Sequence, residues 1–384
     1  MLGKLFNMGE NLSGMFASLD PKEVAEAINE NPELLEVLLS YLDAKILAEG
    51  LNGNQAFVSE LVSYLDPKVA AQVVNENRDF AVEVVKYLDP GVVADVVNEN
   101  TDFIVRLVRN LDPGSTAFIV NSSEEFATRL ISSLDPQVIA NVINQNGDFL
   151  TRLTSYLNPR VLSRVVNENP SLLEELLGLI NPRVVARAVN ANGTFLRNLM
   201  GVIDPKVLAG ALNANGPFLS GLLSALDPKV VADALNQNED LVYQVVELLD
   251  PKFVASIINN QSFLTSLIGY LNPAAIAGAV NSNLGFLNGL LGKLDASVIA
   301  GAVNQNAAFV NALISHLDGA QLGAIMDGNS RFLTDFVGAL STDTVASVVN
   351  GNGPWITELL GKLDASVIAG AVNQNAAFVN ALIS

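Results

Sequence analysis

The chain has 384 residues, half of them hydrophobic, and its 40 acidic and 21 basic residues give a net charge of −19. It contains no cysteine and one histidine, which excludes disulfides, thiol catalysis and metal sites built from cysteine and histidine. The acidic balance disfavours nucleic acid and anionic membrane surfaces as partners. No stretch approaches about 18 uninterrupted apolar residues, so we expect no transmembrane helix.

Residues 1–18 do not share the pattern of the rest of the chain. They lack the apolar run of a signal peptide, and neither they nor the absence of cysteine assigns a compartment. The segment does contain apolar residues spaced as on a helix, and it directly precedes a repetitive sequence. We therefore predict a helical N-terminal cap that covers the first repeat through Leu2, Leu5, Phe6, Leu12, Met15 and Phe16.

From residue 19 to residue 384 one pattern of 23 residues recurs about sixteen times, with a single spacing of 22 between Asp250 and Asn272. A fixed period between about 20 and 50 residues is the signature of a solenoid. The sequence therefore predicts an all-α fold: an α-solenoid or superhelix of helix-turn-helix repeats, continuous over 19–384 and ending without a C-terminal cap.

The first half of each repeat has the pattern of a capped helix. Counting from the capping residue as position zero, that position is always Asp, Asn or Ser, and position one is Pro in eleven copies. Apolar residues follow in helical spacing, as in Val231, Ala232 and Leu235. Position five is Ala in fourteen copies, which predicts a close approach to a neighbouring helix.

An Asn-x-Asn sequence joins the two halves. Position nine is Asn in fifteen copies, with Asp327 as the exception, and position eleven is Asn in fourteen. We expect position nine to end the first helix in the left-handed conformation that Asn tolerates, and position eleven to cap the second. The column could be a strip that binds peptide backbone; we favour a ladder whose amides pair turn groups of their own or the next repeat.

The second helix carries Phe at position 14 in twelve copies, in phase with other apolar residues, which favours a core spine over a platform for bases or sugars. Position 21 is aromatic in six copies. Since tyrosine often lies at the edge of a core, we interpret this column as packing at a solvated rim, with contact to a partner or ligand as the alternative. Its residues are Tyr41, Tyr64, Tyr87, Tyr156, Tyr270 and His316.

Motifs for catalysis are absent. One histidine cannot support a recurring Ser-His-acid constellation, and no glycine-rich phosphate loop occurs. The acidic residues near the turns, such as Glu76 and Asp79, lack the spacing of a calcium loop. The sequence therefore predicts a non-enzymatic protein with no catalytic residues, no metal and no cofactor.

The segment Leu226-Asp227-Pro228-Lys229-Val230-Val231-Ala232-Asp233-Ala234-Leu235-Asn236 resembles the opening helix of TAL-effector repeats, within the broader class of α-solenoid proteins. That resemblance implies a helical superhelix. It covers about half of each repeat, and the glycine-containing loop that reads bases in that family is replaced here by Asn-x-Asn. DNA recognition is therefore not carried over.

Residues 290–315 and 359–384 are identical in sequence. The last repeat thus has the sequence of an interior one, and we expect its end to continue or to dock another molecule through Phe378, Val379, Leu382 and Ile383. We predict a scaffold that presents a long surface to a protein partner and self-associates through its ends. The alternative is a carrier of an apolar, lipid-like ligand along the groove, in keeping with the positive mean hydropathy of +0.35.

Overall fold

The structure is a computed structural model that describes residues 18–33, 39–259 and 261–383. The predicted cap at residues 1–18 lies outside the described residues except for Ser18. Within these ranges every regular element is an α-helix, which confirms the predicted all-α class. The chain forms two compact units, Met1–Phe195 and Leu196–Ser384.

The helices follow the repeat, with a first helix of usually ten residues and a second of seven to ten. In the first unit they are α1 Pro21–Glu30, α2 Ala44–Asn52, α3 Gln55–Tyr64, α4 Pro67–Glu76, α5 Arg78–Val85, α6 Pro90–Glu99, α7 Thr101–Asn110, α8 Pro113–Ser122, α9 Glu124–Ser133, α10 Pro136–Gln145, α11 Gly147–Leu153, α12 Pro159–Glu168, α13 Pro170–Leu179 and α14 Pro182–Ala191. The division between the units falls within α15, Gly193–Met200.

In the second unit the helices are α16 Pro205–Ala214, α17 Gly216–Leu223, α18 Pro228–Gln237, α19 Glu239–Leu248, α20 Pro251–Ile258, α21 Gln261–Ile268, α22 Pro273–Ser282, α23 Leu284–Leu291, α24 Ala296–Gln305, α25 Ala307–Ile314, α26 Gly319–Gly328, α27 Ser330–Ala339, α28 Thr342–Gly351, α29 Gly353–Leu360, α30 Ala365–Gln374 and α31 Ala376–Ile383.

The capping residue at position zero starts the first helix of each repeat as predicted. The Asp66 carboxylate accepts the backbone N–H of Lys68 at 2.8 Å, and Pro67 occupies the first helical position. Proline suits that position because its missing N–H would have no partner in the first turn. The same arrangement opens α18, where Asp227 accepts from Lys229 at 2.9 Å.

The end of the first helix differs from the prediction. Helix α4 continues past position nine to Glu76, and its capping residue Asn77 has φ −114° and ψ 35°. No residue in the described ranges has a positive φ, so the expected left-handed Asn is wrong. The Asn77 side chain does not cap α5 either; its Nδ2 donates to the Val73 carbonyl at 2.9 Å. That carbonyl lies in the last turn of α4 and also accepts the backbone N–H of Asn77 at 3.1 Å.

Within each unit, helices pack against the helix three further along the chain. Helix α4 packs against α7 and α3 against α6 in the first unit; α24 packs against α27 and α19 against α22 in the second. Helices that are consecutive in sequence contact each other much less. One turn of each solenoid therefore takes three helices, or one and a half repeats.

The small residue at position five makes this packing close. Ala232, Ala48 and Ala300 are completely buried, and a side chain that ends at Cβ lets a neighbouring helix approach closely. Larger side chains of the second helices, such as Phe103 and Phe218, complete the interior and are at least nine-tenths buried. The narrow core of each unit is thus built from alanines on one helix and large apolar residues on its neighbour.

Among the described residues no single helix is long and apolar enough to cross a membrane. Two helix pairs, each bent by more than 90° at a short break, are together long and apolar enough to do so by length and composition alone. They are Leu284–Leu291 with Ala296–Gln305 and Ser330–Ala339 with Thr342–Gly351.

Candidate functional site

The asparagine at position nine holds a turn one solenoid turn further along the chain. Asn52 Nδ2 donates to the Tyr87 carbonyl at 2.9 Å, and Asn52 Oδ1 accepts the backbone N–H of Asp89, also at 2.9 Å. One amide thus satisfies both a carbonyl left free by the end of α5 and the N–H of the residue that caps α6. The two bonded residues lie 35 and 37 positions further along the chain than Asn52.

The same pair of bonds recurs through both units. It joins Asn29 to Tyr64 and Asp66, Asn75 to Asn110 and Asp112, Asn98 to Ser133 and Asp135, Asn121 to Tyr156 and Asn158, Asn144 to Leu179 and Asn181, Asn213 to Leu248 and Asp250, Asn236 to Tyr270 and Asn272, Asn281 to His316 and Asp318, and Asn304 to Ala339 and Ser341.

The asparagine at position eleven bonds in the opposite direction along the chain. Asn146 is 4% exposed, and its Nδ2 donates to Val142 O at 2.9 Å and to Val105 O at 3.2 Å. The second acceptor lies 41 residues earlier. In the described ranges the Nδ2 groups of both recurring asparagines thus donate to backbone carbonyls of the solenoid, while Asn146 Oδ1 is buried without a hydrogen-bond partner.

The aromatic residues at position 21 have fixed backbones and exposed side chains. The tyrosines Tyr41, Tyr64, Tyr87, Tyr156 and Tyr270 are between 44% and 69% exposed, and His316 is exposed as well. Except at Tyr41, the backbone carbonyl of each residue accepts a hydrogen bond from the side-chain amide of an asparagine at position nine. Since a helix packs on the helix three further along, consecutive members such as Tyr64 and Tyr87 lie on different edges of the first unit.

Of the four residues predicted to mediate association through the C-terminal end, the structure describes the side chains of two. Phe378 and Val379 in α31 are half-buried, while the side chains of Leu382 and Ile383 lie outside the described part of the chain. Asn350 and Asn373, the last two residues at position nine, are exposed.

Charged groups that interact do so at the surface. Ser297 Oγ donates to the Asp295 carboxylate at 2.6 Å, and this bond with the Ser297 N–H holds the pKa of Asp295 below its usual value; Ser366 does the same for Asp364. Hydrogen bonds from Arg164 to Glu168 and Glu124 raise the pKa of the arginine. The described residues contain no group of three or more acidic or histidine side chains placed to hold a metal ion.

Three surface cavities occupy one and the same place in the repeat. Each lies between the turn that follows a second helix and the start of the second helix two repeats later, and their volumes are about 310, 520 and 620 Å³. The lining residues are drawn from 85–90 and 122–129 in the first cavity, from 200–205 and 236–244 in the second, and from 291–297 and 328–335 in the third. Sequence reasoning missed these cavities because their two walls are about 35 residues apart.

No protein-family model matches the chain, and no curated protein does. Among solved structures, the chain is similar to importin beta, crystallised in an ammonium sulfate condition. The similarity covers 98% of this chain and 55% of that one, at 10% identity and a TM-score of 0.20, so the chain spans about half the length of that protein. The helices and their contacts assign an α-solenoid, and no specific family is assigned.

Proposed function

We propose that this protein is a non-enzymatic interaction scaffold. The observation that carries the proposal is that the recurring polar side chains are used within the solenoid, whereas outward positions differ from repeat to repeat. At position six, for example, the repeats carry Glu49, Phe118, Arg164 and Gly301. A constant interior beneath a varied exterior is what a protein-binding solenoid requires.

The exposed aromatic residues at position 21 are our candidates for partner contact. Tyrosine contributes a large apolar area and a hydroxyl at a small cost in side-chain entropy, which suits protein interfaces. The backbone carbonyls of Tyr64, Tyr87 and Tyr156 each accept a hydrogen bond from an asparagine amide. This supports the role, because a backbone that is already fixed loses little conformational entropy when a partner binds.

Capture of partners from an extract of the source cells tests the scaffold proposal. We expect defined proteins to be retained by the wild-type chain and lost from a variant with Ala at Tyr41, Tyr64, Tyr87, Tyr156, Tyr270 and His316. Circular dichroism controls for folding. Lipid extracted from the purified chain, with no retained protein, would instead favour the apolar-ligand carrier.

We further propose self-association through the last repeats. Elsewhere an amide at position nine holds a turn 34 to 37 residues further along the chain. Asn350 and Asn373 are exposed, and a second copy of the chain carries turns of the sequence that such amides hold. The apolar residues Phe378 and Val379 of α31 are half-buried and would add area to the contact.

Sedimentation velocity over a concentration series tests self-association. The wild-type chain should show an average mass that rises with concentration, and Asn350→Ala with Asn373→Ala should lower that rise. Glu358→Gln, an exposed substitution outside the asparagine column, serves as the control. A wild-type chain that stays at the monomer mass throughout contradicts the proposal.

A further inference from the structure

The identical segments 290–315 and 359–384 fold in the same way but have different neighbours. Helix α30 of the second segment corresponds residue for residue to α24 of the first. Helix α24 lies between two second helices, α21 on one side and α27 on the other. Helix α30 packs against α27, which takes the place of α21, and no helix in the described ranges covers its other side as α27 covers α24.

The side that faces α21 or α27 is the same in both segments. Asn306 Nδ2 donates to the Thr265 carbonyl of α21 at 3.2 Å, and Asn375 Nδ2 donates to the Thr334 carbonyl of α27 at 3.0 Å. The alanines at position seven are buried in both segments: Ala302 and Ala371. The two helices therefore have the same conformation and one equivalent neighbour each.

The opposite side of the two helices differs in exposure. Ala300 is completely buried, whereas its counterpart Ala369 is exposed. Val303 is half-buried and Val372 is 43% exposed; Ala296 at position one is buried, and its counterpart is exposed. Positions one, five and eight lie on one side of a helix. We name their uncovered residues in α30 the α30 face: Ala365, Ala369 and Val372.

Helix α27 covers this side of α24 and is fixed there at its end. Asn304 Nδ2 donates to Ala339 O at 3.2 Å, and Asn304 Oδ1 accepts the backbone N–H of Ser341 at 2.9 Å. Asn373, the counterpart of Asn304, directly follows Val372 and is exposed. Within the described part of the chain, the second segment thus has the same apolar face and the same amide, without the helix that occupies them in the first.

We propose that the α30 face binds an amphipathic helix of a partner protein that has the apolar pattern of α27. In that pattern two adjacent apolar residues recur after one helical turn, and a further one ends the helix: Phe332, Leu333, Phe336, Val337 and Leu340. The α30 face has the same residues, in the same conformation, as the surface of α24 that already holds such a helix. Asn373 would bond the end of the incoming helix as Asn304 bonds that of α27.

A second copy of the chain is a less favourable source of this helix. Its second helices already pack against first helices of their own chain, as α27 packs against both α24 and α30. A copy would have to release such a helix, whereas a partner with a free helix loses no internal packing. This inference rests on the proposed scaffold function and names the kind of partner segment that docks at the last repeats.

Binding of a labelled synthetic peptide with the sequence of residues 328–342 to the full-length chain, measured by fluorescence anisotropy, tests the proposal. Helix α27 has 10 residues, and so short a helix is marginal alone. A lactam between positions 331 and 335, with Arg331→Lys, therefore keeps the peptide helical. Both positions are exposed in α27, so the bridge lies away from the contact. We expect saturable binding.

Ala369→Glu places a charge in the centre of the α30 face and should weaken binding at least about tenfold, a change of about 1.4 kcal/mol. The matched control, Gln374→Glu, adds the same charge to the same helix. Its counterpart Gln305 is exposed even though α27 covers α24, so this position lies outside the contact and the control should change binding less than about twofold. In the peptide, Leu333→Asp with Phe336→Asp removes half of the apolar pattern and should weaken binding at least about tenfold. Circular dichroism controls for folding.

Three results would each overturn the α30 face: no saturable binding, equal effects of Ala369→Glu and Gln374→Glu, or unchanged binding of the altered peptide. If Ala369→Glu abolishes self-association in sedimentation velocity while the wild-type chain binds no peptide, a second copy occupies the face and the proposal is wrong. The scaffold proposal has a separate readout. Capture of no partner from an extract would contradict the scaffold function, whereas peptide binding at α30 is decided by the anisotropy alone.

Discussion

Asp327 Oδ1 accepts the backbone N–H of Asp364 at 2.9 Å, in the place where every other repeat has an asparagine. A carboxylate reproduces the acceptor half of the asparagine pair but has no N–H for the carbonyl 35 residues on, at Lys362. It also brings a second negative charge close to Asp364.

Replacing Asp327 with Asn should therefore stabilise the second unit. The new amide gains one hydrogen bond, which contributes about 0.5–1.5 kcal/mol. The increase should appear in the midpoint of urea unfolding followed by circular dichroism. Asn304→Asp, the reverse change one repeat earlier, should lower the midpoint; if the two variants shift it in the same direction, the paired-bond explanation is wrong.

Asn52→Ala should destabilise the first unit by about 1–3 kcal/mol, since it leaves both the Tyr87 carbonyl and the Asp89 N–H without their partner. Hydrogen exchange localises the effect: the Asp89 amide should exchange faster than in the wild type. Asn52→Asp retains the acceptor, so its Asp89 amide should remain closer to wild type. Equal exchange in all three proteins would show that the amide does not protect this turn.

Ala232→Leu should destabilise by about 1–3 kcal/mol, because position five is completely buried against a neighbouring helix and added methyl groups force the helices apart. The matched control is Ala308→Leu, which adds the same atoms at an exposed position. Urea unfolding of both variants distinguishes overpacking from a general effect of leucine, and a tolerated leucine at position 232 would contradict the close approach.

Ser297→Ala should raise the pKa of Asp295 towards its usual value of 3.8, since the serine hydroxyl is the main cause of the lowering. A lowered folded-state pKa contributes stability above the unfolded-state pKa and loses it as pH falls through the folded-state value. The variant should therefore lose less stability on acidification below about pH 4. Carboxyl NMR titration measures the shift, and Asp364, in an identical segment, should titrate as before.

Local features of the fold were predictable because they depend on neighbouring residues. Asp66 and Pro67 show a helix start by residue type alone, and the alanine at position five predicts close packing. The ladder partner of Asn52 was not predictable, since the 23-residue period defines a helix pair and not the rotation between pairs. The cavity beside Glu239 was missed for the same reason, as Met200 reaches it only through the three-helix turn.

The mismatch between a two-helix repeat and a three-helix turn has a consequence for how such a chain can lengthen. In the second unit, inserting one repeat would rotate every later helix by two-thirds of a turn and carry its outward residues to another side. Inserting three repeats restores the original direction after two full turns. The identical segments 290–315 and 359–384 are separated by three repeats. Duplication in that step lengthens an outward face without changing the direction in which its residues point.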